Sequence, residues 1–289
     1  MNTIDMTAEL FVREPEEVVP LSEAEAEKMR GLIFSADNVD RVMEILEDGM
    51  MPRYMKAGRF TEMLNIIDEL HARSFMEPAD VCLYLKHGSI CEAMRDYDAA
   101  IDYYSLGIQA FATKVKPDSR FTYWLFNNSA FCHDYEKLFP EAQKLAEKAI
   151  SLDGERHNAW KNLGVSLEHQ DRHVESAACY MASHIKCGGG TDPRPMMHLE
   201  RAFKRYDGLR DKLARQAKTE MGKIFSGALL NFCLGETYYY CGRLMMAVIS
   251  YKKFFVAAPT GYQRHLEYAH RRVKELKELM RIEHQLMKK

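Results

Sequence analysis

The sequence predicts an all-α chain of stacked helical hairpins, and three observations carry that prediction. The first is the stretch Trp160 to Tyr180, where Trp160, Leu163 and Leu167 share one helical face and Gly164 lets a second helix come close. A polar break, Glu168-His169-Gln170-Asp171-Arg172, follows, and Ser176, Ala177, Tyr180 and Ser183 then repeat the arrangement on a returning helix. The second is a period. Ala130 to Gly164 is 34 residues, and Gly164 to Gly235 is 71, two such periods plus three. The third is the charged stretch from Tyr262 onward, whose Leu266, Tyr268, Ala269, Val273, Leu276, Leu279 and Met280 lie on one face. A stack of hairpins needs such a polar-backed helix to close its last apolar surface.

Composition narrows the class. A chain of 289 residues has ample apolar content for a core, and a formal net charge of -2 lacks the basic excess of an electrostatic nucleic-acid binder. The N-terminus has no basic region leading into an apolar run, and no apolar stretch reaches the roughly 18 residues a spanning helix requires. The expectation is a cytoplasmic protein without membrane insertion. Seven cysteines, scattered and odd in number, suggest packed thiols in place of a disulfide framework.

Residues 1–20, with Glu14-Pro15-Glu16-Glu17 and Pro20, are expected to form a flexible acidic leader. Residues 21–80 hold N-terminal helices and a degenerate hairpin. Ser22 before Glu23 and Glu25 is N-cap chemistry for a helix to about Phe34. A second helix, about Asn38 to Glu47, should stop at Gly49. Pro52 spoils the first half of the next hairpin, while Gly58-Arg59-Phe60 with Met63, Leu64, Ile67 and Leu70 forms its second half.

Residues 81–261 contain the repeats, at about 81–122, 123–156, 157–193, 194–227 and 228–261. The first carries Tyr84, Gly88, Cys91, Tyr97, Ala100, Tyr104 and Gly107, with about eight extra residues near Ala112 to Ser119. The second carries Phe126, Ser129, Ala130, Ala142, Ala146 and Ala149, and the last carries Leu234, Gly235, Tyr238, Gly242, Ala247, Tyr251, Phe254 and Pro259. A cryptic repeat over 194–227 follows from the period once Gly188-Gly189-Gly190 is taken as an insertion. It reads either as a hairpin turning at Gly208 or as one long helix, and its large Arg201 at a small-residue position predicts less regular packing. Residues 262–289 are the capping helix.

The Trp, Leu-Gly, small and aromatic positions in a 34-residue unit resemble the tetratricopeptide repeat (TPR), and the match spans most of 81–261. That resemblance implies a right-handed α-solenoid whose first helices line a concave groove for a peptide or partner helix. It places Leu85 and Ser89 in the groove from the first repeat, Trp124, Asn127, Asn128 and Phe131 from the second, and Asn158, Lys161, Asn162 and Val165 from the third. The last repeat contributes Leu229, Phe232, Glu236 and Tyr239. Asn128 and Asn162 are equivalent, and an amide there either reads a ligand backbone or bridges adjacent hairpins. Trp124, Phe131 and Phe232 are anchors for a partner if they face the groove and core if the helical phase is off by one residue. The subclass that grips acidic chaperone tails uses two Lys, one Arg and two Asn. Here the corresponding places are Leu85, Ser89, Asn128, Asn158 and Asn162, so only Asn128 matches.

Other chemistry is weakly signalled. Cys179, His184 and Cys187 lack the tight spacing of a structural zinc site, and neighbours Cys132-His133-Asp134 point in different directions on a helix. No Gly-rich phosphate loop is present. The reading is a non-enzymatic adaptor or scaffold with a protein or peptide partner, no cofactor and no metal, with self-association left open. A dedicated chaperone for a secreted or membrane client and a peptide-sensing regulator of an enzyme are the alternatives.

Overall fold

The computed structural model describes residues 21–113, 119–188, 192–258 and 261–286, and every regular element among them is helical. The leader, Gly189-Gly190, Pro259 and much of the insertion near Ala112 to Ser119 lie outside the described residues. The chain forms two compact units, Met1–Asp153 and Gly154–Lys289.

In the first unit, α1 (Glu23–Ser35) opens with a full capping box: Ser22 Oγ accepts from the Glu25 amide, and Glu25 accepts from the Ser22 amide at 3.0 Å. The next helix, α2 (Val39–Glu44), is capped by Asn38, whose Oδ1 accepts from the Arg41 amide at 2.9 Å. The path does not stop at Gly49. It continues through a π-wound stretch, Ile45–Met50, into α3 (Met51–Lys56). Pro52 is accommodated because the first helical turn has no intrahelical partner for its missing N–H. Gly49 instead makes room: a Cβ there would lie 2.9 Å from Met29 Cε. With α4 (Phe60–His71), these helices bury Ile33, Val42, Leu46, Tyr54, Ile66 and Leu70 completely.

After a 3₁₀ turn, Ser74–Ala79, come two hairpins: α5 (Asp80–Ala93) with α6 (Tyr97–Thr113), and α7 (Ser119–Tyr135) with α8 (Phe139–Leu152). The second unit holds α9 (His157–Glu168) with α10 (His173–Lys186), α11 (Arg194–Arg205), α12 (Leu209–Ile224), α13 (Gly227–Tyr240) with α14 (Leu244–Ala257), and α15 (Gln263–Leu286). Residues 194–227 are therefore two helices, turning at Gly208 with φ +70°. They scarcely touch each other, and α10 packs against both. Arg201 donates to buried Glu168 of α9 at 3.2 Å, so its side chain turns toward α9.

The regular hairpins close around one device. A Cβ on Gly88, Gly164 or Gly235 would lie 2.3, 2.6 and 2.6 Å from Tyr104, Tyr180 and Tyr251, each sixteen residues later on the second helix. The tyrosine ring occupies the space that a side chain would need. In α7 and α8 the same spacing holds buried Ala130 and Ala146. The hairpin turns pass through left-handed residues, glycine at Gly242 but Arg95, Lys137 and Asp171 elsewhere. On α15, Ala269, Val273 and Leu276 are buried, whereas Leu279 stays exposed.

Candidate functional site

Each tyrosine of this device carries a buried hydroxyl, and each meets a buried glutamate. Tyr104 donates to Glu92 at 2.9 Å, Tyr180 to Glu168 at 2.7 Å, and Tyr251 to Glu236. A phenol removed from water needs an acceptor, and burial together with the carboxylate drives all three phenols well above their ordinary pKa. Of these three glutamates, the sequence reading singled out only Glu236.

In the first unit the expected groove residues join that network. Ser89 Oγ donates to the Leu85 carbonyl at 2.8 Å and stands 3.5 Å from the Tyr104 hydroxyl. Asn127 donates to Asn128 at 3.0 Å, and Asn128 Nδ2 reaches the same hydroxyl at 3.5 Å. Asn128 thus bridges α7 to α6, the second of its two readings. Leu85 and Phe131 are buried, and Phe131 packs against Tyr97 and Tyr135. Trp124 is half-buried, with its ring edge against Tyr123.

In the second unit Asn158, Lys161 and Asn162 are buried and Val165 is half-buried. Asn158 Nδ2 is shut off from solvent with no hydrogen-bond partner among the described residues. His198 stacks on Tyr180 at 5.1 Å, and its pKa is lowered to about 3 by burial and then by Lys161 and the nearby arginines. Phe232 is not presented to solvent: His265 and Tyr268 of α15 cover it at 5.0 and 5.9 Å. Of the two readings open for Phe131 and Phe232, groove anchor or core, this burial fits the core one, because neighbouring helices close over them.

What stays open beside Phe232 is a cavity of about 490 Å³, within the usual size of ligand sites. Phe232 and Glu236 of α13 form one wall, with Ile185 and Gly188 from the end of α10. The opposite wall is α15, through Arg264, His265, Glu267, Tyr268 and Arg271. Glu236 is 1% exposed and accepts from Tyr251 and, at 3.1 Å, from Tyr268; Arg272 Nε stands 3.9 Å away. Burial raises its pKa against the opposing pull of those three partners. Half-buried Tyr239 lies under the Arg272 guanidinium at 4.1 Å, and Leu229 is half-buried on the same helix.

The other candidates do not assemble. Burial pushes the Cys132 thiol well up, the opposite of a nucleophile's environment, and His133 Nδ1 faces the Ser129 carbonyl at 2.7 Å. Cys187 Sγ lies against the His184 carbonyl, and no three His, Cys, Asp or Glu converge among the described residues as a metal would require. No helix among the described residues is long and apolar enough to cross a membrane. All seven cysteines are buried and none forms a disulfide.

No family model matches the sequence. No curated protein matches it. Among solved structures the chain is similar to TTC0263, a thermophilic TPR protein of Thermus thermophilus, at 17% identity and a TM-score of 0.37, over 66% of this chain and 97% of that one. It is also similar to MamA AMB-1, at 14% identity and 0.37, over 81% and 91%. A third is Cut9–Hcn1 of the APC/C, at 12% identity and 0.31, over 87% and 54%. The 34-residue period, the paired helices and the tyrosine seated on each small-position glycine make this an all-α protein built of tetratricopeptide-type hairpins.

Proposed function

We propose that the protein is a non-enzymatic, cytoplasmic interaction scaffold that holds a segment of a protein partner against its first helices. The observation that carries the reading is the cavity beside α13 and α15, walled by Phe232 and Glu236 from a predicted groove face and by the capping helix. A second expected contact is α9, whose Val165 is half-buried on the predicted groove face; the Asn158 amide is closed off from solvent and does not reach a ligand directly. The cavity suits recognition by contact, with no activated nucleophile beside it among the described residues.

The test is selection of peptides from a displayed library on the immobilised full-length protein, followed by hydrogen exchange of each complex. Protection is expected in α13 and α15 or in α9. Selection of no peptide, or protection confined to α12 and α14, would overturn the scaffold reading.

A further inference from the structure

The net charge of -2 hides a division. Met1–Asp153 carries 16 Lys and Arg against 28 Asp and Glu, whereas Gly154–Lys289 carries 24 against 14. The cavity lies in the basic unit. A surplus of that size raises the local concentration of anionic partners and speeds their approach.

The cavity's own charges sharpen the sign. Glu236 is taken up by Tyr251, Tyr268 and Arg272, and Glu267 accepts from Gln263 at 3.1 Å. Arg264 and Arg271 are exposed and form no ion pair among the described residues; Arg271 only overlies the Tyr268 ring at 5.5 Å. Two guanidiniums without carboxylates therefore stand beside a floor of Ile185, Phe232 and Tyr268. His265 adds no charge at neutral pH, because burial lowers its pKa. Apolar floor and cationic rim call for different groups on one ligand.

We infer that this cavity receives an aromatic side chain of an acidic peptide segment, whose flanking carboxylates pair with Arg264 and Arg271. The inference rests on the scaffold reading and names the chemistry of its partner. Bidentate pairing suits a guanidinium at each side of the anchor, and the apolar floor excludes water from the ring. Glu236 and Glu267 in the wall repel any anion that enters, so the flanking carboxylates stay at the rim with Arg264 and Arg271. An oligonucleotide drawn to the same guanidiniums is the competing outcome of the test.

Fluorescence anisotropy with the full-length protein tests this using four probes. They are the peptide Asp-Glu-Asp-Phe-Glu-Asp-Glu, the same peptide with Ala for Phe, its Lys/Arg counterpart with the central Phe kept, and an oligouridylate. The acidic Phe peptide is expected to bind at least about fivefold more tightly than the other three and to weaken as salt rises from about 50 to 300 mM. Arg264→Glu/Arg271→Glu is expected to weaken it about tenfold or more, while Lys218→Glu/Arg215→Glu on α12 changes it less than about twofold. Equal binding of the Ala peptide, equal binding of the oligonucleotide, or indifference to the α15 pair would each overturn the inference. If displayed peptides of other chemistry protect α9 while the acidic Phe peptide fails, the scaffold reading stands and this inference alone falls. Failure of both experiments removes both.

Discussion

Tyr180 lays its ring against Gly164 and donates its hydroxyl to Glu168 at 2.7 Å. Glu168 also receives Arg201 at 3.2 Å and Tyr206 at 3.4 Å, so one buried carboxylate ties α9, α10 and α11 together. Tyr180→Phe keeps the ring and removes one donor from this group. The expected loss is about 1–2 kcal/mol, read from the urea midpoint at unchanged slope. A loss below about 0.3 kcal/mol would show that the carboxylate does not depend on the phenol.

Gly164→Ala tests the ring contact itself. The new methyl would lie 2.6 Å from Tyr180 Cε1, so the hairpin must open, with an expected loss of about 1–3 kcal/mol. Gly222→Ala is the control. It sits inside α12 with nothing within 4 Å of its Cβ, and helix propensity alone predicts a gain of about 0.5–1 kcal/mol.

Lys137 turns the chain between α7 and α8 at φ +63°, and Arg95 does so between α5 and α6 at φ +64°. Both side chains are exposed, so their backbone strain is not offset by burial. Lys137→Gly and Arg95→Gly should each raise the thermal midpoint, by about 0.5–1 kcal/mol of stability after the glycine's larger unfolded-state entropy is set against the relief.

His87 is 1% exposed, stacked on Tyr103 at 4.1 Å, with Nε2 3.2 Å from Asp68 Oδ1 but without hydrogen-bond geometry. Burial lowers its pKa to about 4, with neighbouring His71 adding to the effect and Asp68 opposing it. The folded state holds the imidazole neutral, so this contribution is complete above the free value near 6.5 and is lost as pH falls toward 4. Stability should drop by about 1–3 kcal/mol from this residue between pH 7 and 4, and His87→Phe should flatten that part of the urea-midpoint profile.

The repeat was legible because its code lies in residue size at a fixed interval: Gly88, Gly164 and Gly235 each find their tyrosine sixteen residues on. Glu92 and Glu168 follow their glycines by four residues, a repetition visible in sequence, but a charged residue on a helix reads as solvated until its partner is seen. Glu236 follows its glycine by one, and no interval announces it. Phe131 and Phe232 lie on the expected helices, yet periodicity within one helix does not tell how far the next helix closes over it. The left-handed Arg95, Lys137 and Asp171 were hidden for a simpler reason, that none is a glycine. Pro52 misled in the opposite direction, since a proline in the first turn starts a helix as readily as it ends one.

The division of charge between the two units has a consequence for how the molecule presents itself in bulk. An isoelectric gel, which responds to the sum, meets a nearly neutral particle with a sequence pI near 6.6. A charged bead in about 0.1 M salt interacts across only about 10 Å and so responds to local charge in place of the sum. At a single pH near neutrality the same preparation should be retained by both anion- and cation-exchange resins, each holding it by a different half.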